Sequence, residues 1–246
     1  EDFFTEEYAL DMLIRQYPKP VVACMDGITM GGGMGLAQGA SHRIVTERSQ
    51  LAMPETRIGF FPDVGGGYFL SRCPGYAGEW LALTGNAVSG ADALAIGWAD
   101  HWLPSTRLPE FWRQLAEKEW SDSAAIAQWV TQSCDPAPAV SDDFGHGLRQ
   151  AEHYFAGTDL AAIVRQLEQA KGDAWAQATA ATLRQRSPLM LHVVLRQIRG
   201  GRALSYAQNI YRERVMVHHC FHPDHLGRAP RHSEVIEGIR ALVIDK

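Results

Sequence analysis

Asp26-Gly27-Ile28-Thr29-Met30-Gly31-Gly32-Gly33-Met34-Gly35 is the stretch on which the fold turns. Asp26-Gly27 reads as a tight turn. The glycine run after it reads as a close-packed entry into a helix of small residues ending near Gly39. Just upstream, Val21 to Cys24 is a short apolar run of buried-strand type. Further out, Phe4, Tyr8 and Met12 recur four apart, with Phe3, Leu10, Leu13 and Ile14 beside them. That spacing predicts a helix over 1–17, stopped by Pro18 and Pro20. Downstream, 43–46 and 51–53 read as further short strands. Phe61-Pro62-Asp63-Val64-Gly65-Gly66-Gly67 reads as a second turn into a helix that Tyr68, Phe69 and Leu70 continue.

Helical patterns follow at 76–84 and 90–96, and a strand at 99–103 ends before Pro104. Beyond that point helices are expected at 108–120, 123–132, 144–155, 159–171, 173–185, 188–199 and 204–219. Strand–turn–helix units followed by helices alone predict an α/β core, 1–104, carrying an α-helical region, 105–246. Asp135-Pro136-Ala137-Pro138 is the clearest linker.

The 246 residues are 46% hydrophobic and 21% charged, enough for a substantial core. Seven tryptophans, Trp98 and Trp102 among them, read as core rather than as substrate stackers. The longest run without Asp, Glu, Lys or Arg, residues 27–42, is sixteen long with six glycines, too short and too Gly-rich for a bilayer. A net charge of −5 argues against nucleic acid as a partner. Residues 184–246 carry +6 against −11 for 1–183, a bias that suits either an anionic ligand or solvated helix faces. Cys24, Cys73, Cys134 and Cys220 form no CxxC pair, so a reducing compartment is expected: cytoplasm, or mitochondrial matrix in a eukaryote. The sequence opens on Glu1, with no basic-then-apolar signal segment.

Glycine turns at helix starts admit a ligand close to free N–H groups. Phosphate-loop readings fail here. From Gly31 and Gly33 the third position of G-x-G-x-x-G is Leu36, and from Gly33 and Gly35 it is Gln38. Gly85-x4-Gly90 is followed by Ala91-Asp92 rather than Lys and Ser/Thr, and no G-x-S-x-G occurs. Two readings remain open: an oxyanion hole, or glycines that only permit tight strand–helix packing. Glu55 and Asp63 lie just downstream among Leu51, Ala52, Met53, Ile58, Phe60 and Phe61. An ionised acid is costly in such company without a partner or a purpose. Paired carboxylates in a partly dry site can divide acid and base roles; the bland alternative makes Asp63 a helix N-cap before Val64-Gly65.

Lys19-Pro20-Val21-Val22-Ala23, Asp26 to Gly33, Ala52-Met53-Pro54-Glu55-Thr56 and Ile58 to Tyr68 together resemble the crotonase (enoyl-CoA hydratase/isomerase) superfamily, most narrowly its 3-hydroxyisobutyryl-CoA hydrolase branch. Leu83-Thr84-Gly85, Gly90-Ala91-Asp92-Ala93, Ser187-Pro188, Leu195-Arg196-Gln197 and Glu237 to Lys246 extend the resemblance over nearly the whole chain, more weakly at 105–185. It implies a spiral of strand–strand–helix units with an α-helical C-terminal region, an acyl-CoA thioester as ligand, and no cofactor beyond the coenzyme A of the substrate. It also implies roles for individual residues. The Gly32 N–H, with Gly31 and Gly33 around it, forms part of an oxyanion hole. Glu55 is the principal catalytic carboxylate and Asp63 the second, and Glu7 approaches the acyl group. Expected partners are the acyl-CoA and, where the chain assembles, further copies in a homo-oligomer, with no membrane.

Enoyl-CoA hydratases of the superfamily usually carry a second glutamate two residues beyond the glycine triplet. Here that position is Gly35. Hydration needs an acid and a base on one face of the substrate, so Gly35 with Asp63 favours a hydrolase cleaving a short 3-hydroxyacyl-CoA. A hydratase or isomerase of the same fold and a non-catalytic acyl-CoA-binding member are the alternatives. The superfamily draws a second oxyanion donor from an upstream Phe-x-Ala-Gly-Gly-type segment. No such segment occurs here, and the N-terminal part of the core is expected upstream of residue 1. His218, His219, His222 and His225, with Cys220 and Asp224, could be read as a metal cluster. Their spacing is irregular and matches no zinc motif, so a polar helix end broken at Pro223 is expected instead, with no metal.

Overall fold

In the computed structural model, which describes residues 2–245, the short apolar runs become strands that alternate between two small sheets. After helix α1 (Asp2–Gln16) come β1 (Val22–Met25) and β2 (Ile28–Met30), then helix α2 (Gly32–Gly39), then β3 (His42–Val45) and β4 (Gln50–Ala52). β1 and β3 pair in parallel, Val22 opposite His42; β2 and β4 pair in parallel, Ile28 opposite Gln50. Each strand–strand–helix unit thus adds one strand to each sheet, the repeat expected of a spiral.

A 3-10 turn, Glu55–Ile58, follows β4, and the second glycine entry opens α3 (Gly66–Phe69). Next come α4 (Ala77–Thr84), β5 (Val88–Ser89), α5 (Gly90–Ala95) and β6 (His101–Trp102). β6 completes the order β1-β3-β6, and β5 joins β4 antiparallel in the order β2-β4-β5. β2 and β5 were not anticipated. Two or three residues between glycine turns carry too little alternation to register as strands.

The helices after residue 104 are α6 (Leu108–Glu117), α7 (Ser123–Ser133), α8 (Asp142–Tyr154), α9 (Leu160–Gln169), α10 (Ala174–Arg184), α11 (Pro188–Gly201), α12 (Tyr206–Phe221) and α13 (Glu234–Ile239). Side-chain caps fix the starts of α7 to α13: Asp122, Ser141, Asp159, Asp173, Ser187, Ser205 and Ser233 each accept a backbone N–H of the first turn. One apolar cluster runs from Tyr8 through Trp98 and Phe155 to Val235, so residues on both sides of position 104 share it. A smaller cluster, Ile44, Leu103, Leu108, Phe111 and Val130, seats α6 and α7 on β3. α11 packs on α3 and α4, and α12 on α1 and α3. These contacts carry the C-terminal helices to the two glycine turns. No described helix is long and apolar enough to cross a membrane.

Candidate active site

α1 turns Glu7, Tyr8 and Asp11 toward the molecule; Glu7 and Asp11 are one helical turn apart and share a face. α2 begins beside them. Gly31 has φ +54°, and a Cβ built on it would lie 3.2 Å from Glu55 Oε1. A Cβ on Gly32 would meet Glu7 Oε1 at 2.6 Å, so the two glycines leave the space that both carboxylates occupy at this helix start. Gly32 is the first residue of α2, and the first N–H groups of a helix have no acceptor within it. Glu7, Gly31, Gly32 and Glu55 therefore converge. A Cβ on Gly33 would lie 3.6 Å from the Thr29 methyl, on the side of β2.

Asp63 is brought in by the second glycine turn. Its Oδ2 accepts from the Tyr8 hydroxyl over 2.9 Å. Asp63 is not the helix cap that its place in sequence allows: α3 starts three residues later at Gly66, with Gly65 at the cap position and no side-chain cap. Between them Val64 has φ +49°, the one non-glycine residue with positive φ among the described residues. For a β-branched residue that conformation costs on the order of 1–3 kcal/mol.

Burial governs the electrostatics. Glu55 and Asp63 are 8% and 6% exposed, and Asp11 and Glu213 are fully buried. Burial, and then the charge of Asp63, push the Glu55 carboxyl well above the usual range. Asp63 is pushed up to about 7, chiefly by burial; the Tyr8 hydroxyl opposes the rise and the Glu7 charge adds to it. Asp11 also reaches about 7, from burial and then the charges of Glu7 and Asp63. Burial raises Glu7 as well. Acids this close and this dry cannot all ionise, so near neutral pH the group shares protons among its members. Such a set can hold a proton on one carboxyl and offer a lone pair on another. Glu55 Oε2 and both Asp11 carboxylate oxygens find no hydrogen-bond partner among the described residues.

Tyr8, Asp11, Glu213 and Gln197 are not marked as site residues by the sequence reading. A signal existed for two of them. Asp11 stands one turn from Glu7 between Tyr8 and Met12, and Glu213 falls at core spacing between Ile210 and Val217. An acid on an apolar helix stripe is the readable trace of a buried acid. Among the histidines of this segment the His218 ring stacks on His222 at 4.6 Å and the His219 ring meets His225 at 4.8 Å. Among the described residues no group of three or more His, Cys, Asp or Glu could hold a metal.

A sequence model described as Enoyl-CoA hydratase/isomerase matches residues 1–246. The chain belongs to the enoyl-CoA hydratase/isomerase family. Within that family it is 36% identical over 248 residues to a probable 3-hydroxyisobutyryl-CoA hydrolase of Arabidopsis thaliana, covering 100% of this chain and 64% of that one. It is 39% identical over 261 residues to the small ribosomal subunit protein mS47 of Neurospora crassa, covering 100% of this chain and 50% of the relative. The crystal structure of a carnitinyl-CoA dehydratase from Mycobacterium thermoresistibile superposes with a TM-score of 0.83 at 36% identity, covering 99% of this chain and 66% of that one. The fold is thus the crotonase fold of the family, and the chain spans under two thirds of the length of the curated relatives named here.

Proposed function

We propose that this protein hydrolyses the thioester of a short 3-hydroxyacyl-CoA, with 3-hydroxyisobutyryl-CoA the first substrate to try. The relatives' names divide among hydrolase, dehydratase and ribosomal protein, so the decision rests on the site. The observation that carries it is the packing at Gly35. A Cβ there would lie 2.5 Å from Val64 Cβ and 3.1 Å from Asp11 Oδ1. Position 35, from which a hydratase of this family would present its second glutamate, carries no acid of its own, and Val64 fills the space a side chain there would need, with the Asp11 carboxylate at its edge. Glu55 remains, with Asp63 as its partner on the adjoining turn.

In this reading the thioester oxygen lies against the Gly32 N–H, which stabilises the negative charge that develops on it. Glu55 then works in one of two ways. As nucleophile, its carboxylate oxygen bonds to the carbonyl carbon, the carbon–sulfur bond breaks, and water opens the resulting anhydride. As base, it takes a proton from a water that attacks the same carbon. Asp63, held near neutral pKa, binds the substrate hydroxyl or passes a proton to the departing thiolate. Glu7, half-buried at Gly32, faces the acyl group. Two buried acids with raised pKa values beside a helix start support catalysis over simple acyl-CoA binding.

The test is release of free thiol from 3-hydroxyisobutyryl-CoA by the full-length protein, set beside hydration of crotonyl-CoA. Thiol release that Glu55→Ala abolishes supports the hydrolase. Hydration without thiol release moves the assignment to the hydratase reading, which the dehydratase relative favours. Binding of CoA esters with neither reaction leaves a non-catalytic member.

A further inference from the structure

Behind the Asp63 turn, α12 supplies a second buried acid that the proposed chemistry does not use. Glu213 is fully buried. Its Oε2 accepts the Gly65 N–H over 2.8 Å and its Oε1 the Gly67 N–H over 2.7 Å. Gln197, on α11, donates from Nε2 to Glu213 Oε1 at 3.2 Å and to the Pro62 carbonyl at 2.6 Å. The backbone of 62–67 is thus held from behind at Pro62, Gly65 and Gly67, and the two residues between the first two holds are Asp63 and Val64. The glycines make the clamp close: a Cβ on Gly67 would meet Glu213 Oε1 at 2.9 Å.

Val64 is β-branched and sits in the left-handed region, so its conformation has to be held by the surrounding structure. Burial pushes the Glu213 carboxyl up to about 8, against the pull of the Gly65 and Gly67 N–H groups, and those two donations together with the Gln197 bond to the Pro62 carbonyl oppose the strain. Neither acceptor is local; Glu213 is 148 positions from Gly65 in sequence.

We propose that Glu213, seated by Gln197, is a positioning residue that holds Val64 in its strained conformation and thereby aims Asp63 at Tyr8 and the acyl site. The inference rests on the hydrolase reading for its kinetic consequence but not for its structural one. Both Glu213 oxygens accept N–H groups, so an amide of the same size must turn its NH2 toward one of them. That steric and polar conflict is relieved only by moving the turn.

The test uses the full-length protein and two variants, Glu213→Gln and Gln197→Met. Crystal structures are expected to show Val64 released from positive φ and the Tyr8–Asp63 hydrogen bond lost in Glu213→Gln, with a smaller shift in Gln197→Met. Kinetically, kcat for thiol release is expected to fall at least tenfold in Glu213→Gln and about threefold in Gln197→Met, with KM within twofold of wild type. A clamp that only stabilises the fold would lower Tm and active fraction but leave kcat per active site unchanged. Asp63 and Val64 in their wild-type positions in either variant overturn the proposal whatever the activity. If Glu213→Gln does not fold, Gln197→Met alone decides by the same two readouts. A wild-type protein without thiol release refutes the hydrolase reading, and the crystallographic comparison still judges Glu213.

Discussion

The Tyr8 hydroxyl, on the first helix, donates to Asp63 Oδ2 across 55 positions of sequence, and this 2.9 Å bond couples α1 to the second glycine turn. Tyr8 is buried, and burial with the Asp63 charge raises its own pKa far out of the working range, so it acts only as a donor. Without it, Asp63 loses the largest influence that holds its carboxyl down. Tyr8→Phe should therefore raise the apparent pKa of Asp63 above about 7 and lower kcat about tenfold at neutral pH, the size of one hydrogen bond to a charged group. A pH–rate profile of thiol release checks both; an unshifted profile would show that Asp63 does not depend on Tyr8.

Glu55 must be ionised to attack or to take a proton, so the rate should rise with pH through an apparent pKa above the ordinary carboxylate range. Part of that elevation comes from the Asp63 charge. Asp63→Asn removes the charge and keeps the shape. The acid limb should move to lower pH even as kcat drops, by about 100-fold for a lost proton-transfer partner. Opposite movements of limb position and rate are the signature to look for. A limb that stays put means Glu55 does not feel Asp63.

Gly35→Glu supplies the acid that the hydratase reading lacks and finds no room for it. The new Cβ would press on Val64 at 2.5 Å, and the carboxylate would enter beside Asp11. Overpacking of this kind costs about 1–3 kcal/mol before any charge repulsion, or a fall in Tm of about 2–12 °C for a chain of this size. Crotonyl-CoA hydration should not appear. Gain of hydration with an unchanged Tm would mean that Val64 yields freely and that position 35 does not separate the two reactions.

The glycine turns, Glu55 and Asp63 are legible in sequence because each breaks a local rule: glycines open a helix, and acids sit among Leu51, Met53, Phe60 and Phe61. Their neighbours are not. Asp63 reads as a helix cap from the residues after it, yet the helix starts at Gly66, in a turn whose Pro62, Gly65 and Gly67 are bonded to Glu213 and Gln197 from distant helices. Position 35 is legible as a missing acid but not as a filled space, since the residue that fills it, Val64, lies 29 positions on, at a positive φ that sequence does not announce. What local sequence lacks at this site is tertiary contact, which no periodicity encodes.

Asp11 gives a stability test that needs no substrate. Its carboxyl, fully buried and without a hydrogen-bond partner among the described residues, is raised from the ordinary 3.8 to about 7, first by burial and then by Glu7 and Asp63. In the unfolded chain it releases its proton near pH 4, whereas the folded protein keeps the proton to about pH 7. Between those values the native state binds the extra proton, so this group's contribution to stability is full below pH 4 and declines as pH rises, by at most about 1.4 kcal/mol per pH unit. Above pH 7 both states have lost the proton and the decline stops. Asp11→Asn has no proton to hold. The Tm of the variant minus that of wild type should therefore grow from pH 4 to about 7 and level off above it. Thermal melts across that range check the point, and a difference that is constant with pH would mean Asp11 is already ionised in the fold.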